Sequence, residues 1–111
     1  MKITHLHHLP LQGVSHNPEI TKKVMVAPGD IPHLTNFSQA TFAPGQEAIA
    51  HAHSDMYEVF FVNAGRGTMI IDGRNCDLTP GVCIAINPGE SHEVINTGTE
   101  NLVLTYFGIV D

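Results

Sequence analysis

GQEAIAHAHSDMYEVFFVNAG, the stretch from Gly45 to Gly65, holds the densest set of metal-capable side chains in the 111-residue chain, and its reading decides the fold. It contains His51, His53 and Glu58. Successive side chains of a β-strand point to opposite faces, so an extended segment ending at His53 turns His51 and His53 the same way, toward one cation. A turn at Ser54–Asp55 then brings Glu58 back across from them. Outward from this stretch, NPGESHEVIN supplies His92 as the fourth candidate. Three neutral imidazoles and one carboxylate are a common donor set for divalent first-row metals.

The same residues carry a family resemblance. Gly45, His51, His53, Glu58 and Gly65 stand at the intervals of the first conserved motif of the cupin superfamily, and Gly81, Gly89, His92 and Asn96 resemble its second. One position departs: the proline expected two places before Gly89 is Asn87, with Pro88 one place later. The resemblance implies a double-stranded β-helix, a small jelly-roll β-barrel, with a metal held by His51, His53, Glu58 and His92. The ion could be iron, manganese, nickel, zinc or copper, since affinity order and metal supply decide what loads. The expected organisation is one domain over residues 1–111, with 1–20 as an N-terminal arm and 45–96 as the two-motif metal-binding core. Cupins include dioxygenases, decarboxylases, isomerases, epimerases, storage proteins and sensors, so the fold does not name the substrate.

Composition suits one compact body, and the run of short strands without helical period makes it all-β. Charged residues make up 14% of the chain against roughly 25% in an average soluble protein, and 42% are hydrophobic, which leaves apolar surface for a partner. A net charge of −6 with five scattered Lys and Arg disfavours nucleic acid, whose phosphates need clustered cations. No run has the length of a bilayer span. With no N-terminal apolar stretch of signal-peptide length, Cys76 and Cys83 read as free thiols in a reducing cytoplasm, two small apolar residues in strands.

Along the chain, His5, His7, His8 and His16 resemble a metal tract only superficially, because Pro10, Gly13 and Pro18 interrupt regular structure there. Strands are expected at Lys22 to Val26, Leu34 to Phe42, Tyr57 to Val62, Gly67 to Asp72, Arg74 to Leu78, Val82 to Ile86 and Asn101 to Val110, with His92, Val94 and Asn96 on one face of another. Asp72-Gly73 favours a type I′ hairpin. The segment YEVFFV is apolar on both parities, which places Glu58 and Phe60 toward the interior and Tyr57, Val59 and Phe61 toward a neighbouring sheet or a second subunit, so a homodimer is expected. Parity alone leaves Gln39 open between pocket and solvent.

No nucleophile motif or phosphate-cradling loop competes with the metal set. Tyr106, Glu93 and His33 are candidate acids or bases, but sequence ties none of them to the metal, and no role is assigned to them. The first functional reading is a small metal-dependent enzyme on a small polar metabolite. The alternatives are a non-catalytic metal or small-molecule binding module and a metal-free epimerase of the same fold, though the last would not need all four ligand positions filled. A titratable group within reach of the open metal position favours the enzyme, and a purely apolar wall favours the binding module.

Overall fold

Ten strands and one short turn of 3-10 helix, Leu6–His8, make up the molecule in a computed structural model that describes residues 1–111. The strands are β1 (Gln12–Val14), β2 (Asn17–Val26), β3 (Leu34–Phe42), β4 (Glu47–His51), β5 (Met56–Ala64), β6 (Gly67–Ile71), β7 (Arg74–Leu78), β8 (Cys83–Ile86), β9 (His92–Ile95) and β10 (Leu102–Val110). They form a six-stranded sheet in the order β1-β2-β3-β10-β5-β8 and a four-stranded sheet in the order β4-β9-β6-β7, all pairings antiparallel. Strands that are distant in the chain lie side by side, as in the expected jelly roll.

Alternation along the strands builds the core. In β5, Glu58, Phe60 and Val62 are buried while Tyr57 and Phe61 are exposed, the register read from the sequence. Its neighbour β10 turns Leu102 and Leu104 inward, and the four-stranded sheet answers with Ala48, Met69, Leu78 and Val94. A fully buried Leu-sized side chain contributes about 1.5–3 kcal/mol, so these eight apolar residues, with Ile20, Ala40, Phe42 and Ile86, are the main hold between the sheets. Asp72 and Gly73 take positive φ, 46° and 80°, and close the β6–β7 hairpin as expected. Asn96 is buried; its amide donates to the carbonyls of Phe42 and Glu100 and its side-chain oxygen accepts from the Gly98 N–H, tying β9 to its flanking loops.

Three features differ from the expectation. The strand expected from Lys22 begins at Asn17, and Ile20, with 0% exposure, is core. Pro18 does not interrupt it, because β2 bulges against β1 there, Val14 pairing with Asn17 after Gly13 pairs with Thr21, and a bulge has room for a residue without an N–H. Second, neither cysteine is buried. Cys83 is exposed and Cys76 half-buried, because β8 and β7 are the edge strands of their sheets. Ala85 is exposed as well, so β8 is buried on one side only. Third, β4 ends at His51, leaving His53 beyond the strand.

Gly65 shows how tightly the first motif is closed. Its φ is 86°, and a Cβ there would stand 2.3 Å from the Asn101 carbonyl oxygen and 2.7 Å from Leu102 Cα. Both obstacles are backbone, which cannot swing aside. Replacing Gly65 by Ala is expected to destabilise the fold by about 2 kcal/mol or more, read as a lower urea midpoint at unchanged m-value; an unchanged midpoint would refute the close approach.

Candidate metal centre

His51 and His92 are directly opposite each other on β4 and β9, and a β-bulge brings them to the same face. Ala48 pairs with Val94, but two residues on β4, Ile49 and Ala50, then match one on β9, Glu93, before His51 meets His92. Strict alternation from buried Ala48 would point Ala50 inward; the bulge leaves Ile49 and Ala50 exposed and re-aims His51. His53 follows in the loop, where its carbonyl accepts a 2.7 Å bond from the Gly89 N–H. Gly89 itself lies in a turn closed by the Glu90 N–H donating to the Asn87 carbonyl, with Pro88 at the second position and Gly89, φ 84°, at the third. That is the type II arrangement, so the Asn87-Pro88 order builds a regular turn and carries His92 into place. Glu58 comes from the interior face of β5.

The four side chains converge: their ligand atoms all lie within 4.8 Å of one another. His51 Nδ1 donates to the Ile49 carbonyl at 3.0 Å and His92 Nδ1 to the Glu90 carbonyl at 3.2 Å. A carbonyl only accepts, so in the neutral rings the lone pair sits on Nε2, the tautomer a metal ligand needs. Glu58 and His92 are 8% and 1% exposed. Their Oε1 and Nε2 atoms face each other at 3.1 Å, and neither has a hydrogen-bond partner. Two buried acceptors facing each other call for a positive charge between them, a proton or a cation. Ligand atoms each about 2.1 Å from one ion stand roughly 3 Å apart in adjacent positions, so the pair has the separation of neighbouring ligands. The donor set therefore fits a divalent metal. His53 Nε2 is 3.6 Å from the same carboxylate oxygen.

The imidazoles titrate in opposite directions. Burial lowers the pKa of His51. For His92 burial also pulls down, but the Glu58 carboxylate and the Glu90 carbonyl outweigh it and the net pKa is raised.

The group opens into a cavity of about 230 Å³ between the sheets, walled by Ala40, Phe42, Ala48, Phe60, Val94 and Leu104 and bordered by His16, Lys22, Asn36 and Tyr106. His16 is the residue that sequence reasoning set aside with the N-terminal histidines. Its ring stacks on His51 with centroids 3.7 Å apart and lies 6.2 Å from His53. Asn17 and Gln46 place it, the Asn17 amide donating to the Glu47 carbonyl and the Gln46 amide to the Glu19 carbonyl, so the β1–β2 turn is sewn to β4. Burial, reinforced by His53, lowers the His16 pKa. No spacing rule links His16 to the motifs; only the β1–β2 bulge does. His5 and His8 stack on each other instead, away from the cavity.

The other candidates separate. Tyr106 faces the cavity, while His33 ties strand β10 down by exchanging hydrogen bonds with Val110, and Glu93 points away from the cavity on β9. Gln39 lies opposite Thr105 on the outer side of β3, outside the cavity lining.

Comparison with known proteins agrees with this geometry. The family model described as "Cupin domain" matches residues 38–108. An oxalate-binding protein of Thermotoga maritima is 27% identical over 66 residues, 60% of this chain and 54% of that one. An uncharacterized protein of Methanocaldococcus jannaschii is 27% identical over 63 residues, 57% of this chain and 50% of its own. The chain thus spans about half the length of the curated relatives it matches. Among solved structures, a "predicted oxalate decarboxylase" of T. maritima superposes with a TM-score of 0.90 over 100% of both chains at 18% identity. KdgF from Halomonas sp. gives 0.83 over 100% of this chain and 96% of that one at 20% identity, a likeness of fold. Two interlocking motifs, the sheet order they build and a family match over most of the chain lead to one conclusion: this chain belongs to the cupin domain family.

Proposed function

We propose that the chain binds a divalent transition metal through His51, His53, Glu58 and His92 and works as a small metal-dependent enzyme on a small carboxylate. The observation that carries the metal is the pair of buried, unpartnered acceptors, Glu58 Oε1 and His92 Nε2, aimed at one point. Bound there, the ion supplies Lewis acidity toward an oxygen-bearing ligand. The likeness to an oxalate-binding protein and to a "predicted oxalate decarboxylase" supports a carboxylate ligand.

His16 supports an enzyme over a passive site. It is a titratable group stacked on His51 beside the proposed metal position, and its lowered pKa keeps it neutral and able to take a proton at pH 7. The second reading, a binding module, is favoured by the apolar character of the cavity wall. Assaying the metal-loaded protein on carboxylates of two to six carbons, by 13C NMR, separates the two. Turnover that falls roughly 100-fold or more in His16→Ala, with metal retained, is the expected outcome; ligand binding with no turnover of any acid would leave the module.

Three measurements follow. His53→Ala should keep the β-sheet circular dichroism, since His53 lies in a loop outside the core, while metal affinity falls by more than the 10- to 100-fold of an outer-shell change; undiminished metal content would remove His53 from the site. Metal at a hundred times its Kd should add about 2.7 kcal/mol of stability at neutral pH. The pH dependence has a definite sign. Metal-bound imidazoles are deprotonated, so the loaded protein is stabilised above the free histidine pKa of about 6.5 and loses this as pH falls below it. In the metal-free protein the raised His92 stabilises below that pKa and loses its contribution as pH rises, whereas the lowered His51 and His16 do the reverse. Melting temperature should therefore climb more steeply from about pH 6 to 8 with metal than without it; equal slopes with and without chelator would uncouple metal from folding.

A homodimer accompanies this reading. Tyr57, Val59 and Phe61 on β5 pair with Ile109, Phe107 and Thr105 on β10, and Phe37 meets Phe107 edge to face at 6.3 Å, an apolar strip on the outer face of the six-stranded sheet. Light scattering at micromolar concentration should give twice the chain mass, and Phe61→Glu should halve it; a wild-type monomer would refute the dimer.

A further inference from the structure

The cavity has a second polar end that the metal group does not use. Tyr106 on β10 is opposite Ser38 on β3 on one side and Phe60 on β5 on the other. Its ring stacks on Phe60 at 5.4 Å and 20°, and Phe60 in turn lies 6.0 Å from the His92 ring, so one aromatic side chain separates Tyr106 from the metal group. Burial pushes the Tyr106 phenol up to about 12, with the neighbouring Ser38 hydroxyl pulling the other way and the Glu58 charge adding to the rise. It therefore holds its proton at neutral pH. Ser38, fully buried, donates to Asn36 Oδ1 at 2.6 Å, which fixes the amide and leaves the Asn36 NH2 only a long 3.4 Å contact with Thr35. Lys22 borders the same cavity from β2.

These groups are mainly donors. A phenol, an amide NH2 and an ammonium from three neighbouring strands face a cavity whose other walls are apolar, and polar groups in such a wall lose free energy unless a ligand meets them. Their natural partner is an acceptor, best an anionic one. Size points the same way. A cavity of about 230 Å³ is roughly seven times the ~30 Å³ that a water takes in the liquid, more than a two-carbon diacid fills.

Resting on the metal-and-carboxylate reading above, we infer that the ligand is longer than oxalate and two-ended. One carboxylate goes to the metal group, a short carbon chain lies along Phe60 and Leu104, and a second carboxylate or carbonyl takes hydrogen bonds from Tyr106 and Asn36 and the charge of Lys22. Tyr106, Asn36 and Lys22 are then the residues that set chain length.

Calorimetry on the manganese-loaded protein tests this with oxalate, succinate, glutarate and the monocarboxylate butyrate. Glutarate or succinate should bind at least tenfold tighter than either oxalate or butyrate. Tyr106→Phe, which keeps the stacked ring, should weaken the longer diacids roughly 3- to 10-fold and leave oxalate and manganese affinity unchanged, and Lys22→Met should act likewise if the phenylalanine variant fails to fold. Oxalate binding as tightly as the longer diacids, or variants that weaken all four acids alike, would overturn the inference. A protein that takes up no manganese sinks the metal reading separately; the distal end is then read on the metal-free protein, where a glutarate-induced rise in melting temperature that Lys22→Met abolishes upholds it and no rise overturns it.

Discussion

Everything about the site turns on the buried contact between Glu58 and His92. A carboxylate oxygen and an imidazole nitrogen face each other at 3.1 Å, both inside the protein, with no other partner for either. Without a positive charge the arrangement is costly, because two acceptors are desolvated and repel. In the metal-free protein a proton on His92 relieves it, the reason that its pKa rises in spite of burial. On the reading proposed above, a cation would relieve it too and would draw in His51 and His53. A proton and a metal ion would then compete for this centre, which would couple metal affinity to pH.

Holding that contact requires elements from both sheets. Glu58 belongs to the six-stranded sheet and His92 to the four-stranded one, so the pair spans the interior and depends on the apolar core, Phe60, Val62, Val94 and Leu104 among it, to set the spacing. The loops are fastened to each other rather than left to solvent: the Gly89 N–H reaches the His53 carbonyl, and Asn96 satisfies two carbonyls from one amide. Such bonds limit how far the converging side chains can drift, as a site assembled from several strands and loops requires.

The cavity beyond the metal group joins two kinds of surface. Apolar walls strengthen electrostatic contacts made beside them, and His16, Tyr106 and Asn36 are among the polar residues that line the same cavity. Their sources differ. Tyr106 and Asn36 come from the central strands of the larger sheet, a rigid scaffold, whereas His16 rides on a turn that two side-chain to backbone bonds hold against β4.

The sequence by itself determined the strands, the family and the four converging side chains. Alternation in YEVFFV fixed which side of β5 carries Glu58 and Asp72-Gly73 fixed a hairpin, both local rules of backbone geometry, while His92 was joined to the histidine pair by the resemblance of the two motifs to the cupin pattern. Three things only the tertiary structure decided. His51 points inward through a bulge against β9, a mismatch of two residues to one that exists only once the strands pair. Ile20 and His16 belong to the core and the cavity because β2 extends past Pro18 at another bulge, where a chain read alone shows only interruption. Tyr106 separates from Glu93 and His33 because being inside depends on which sheet face the finished fold covers, a non-local property that a residue's own neighbours in sequence do not carry.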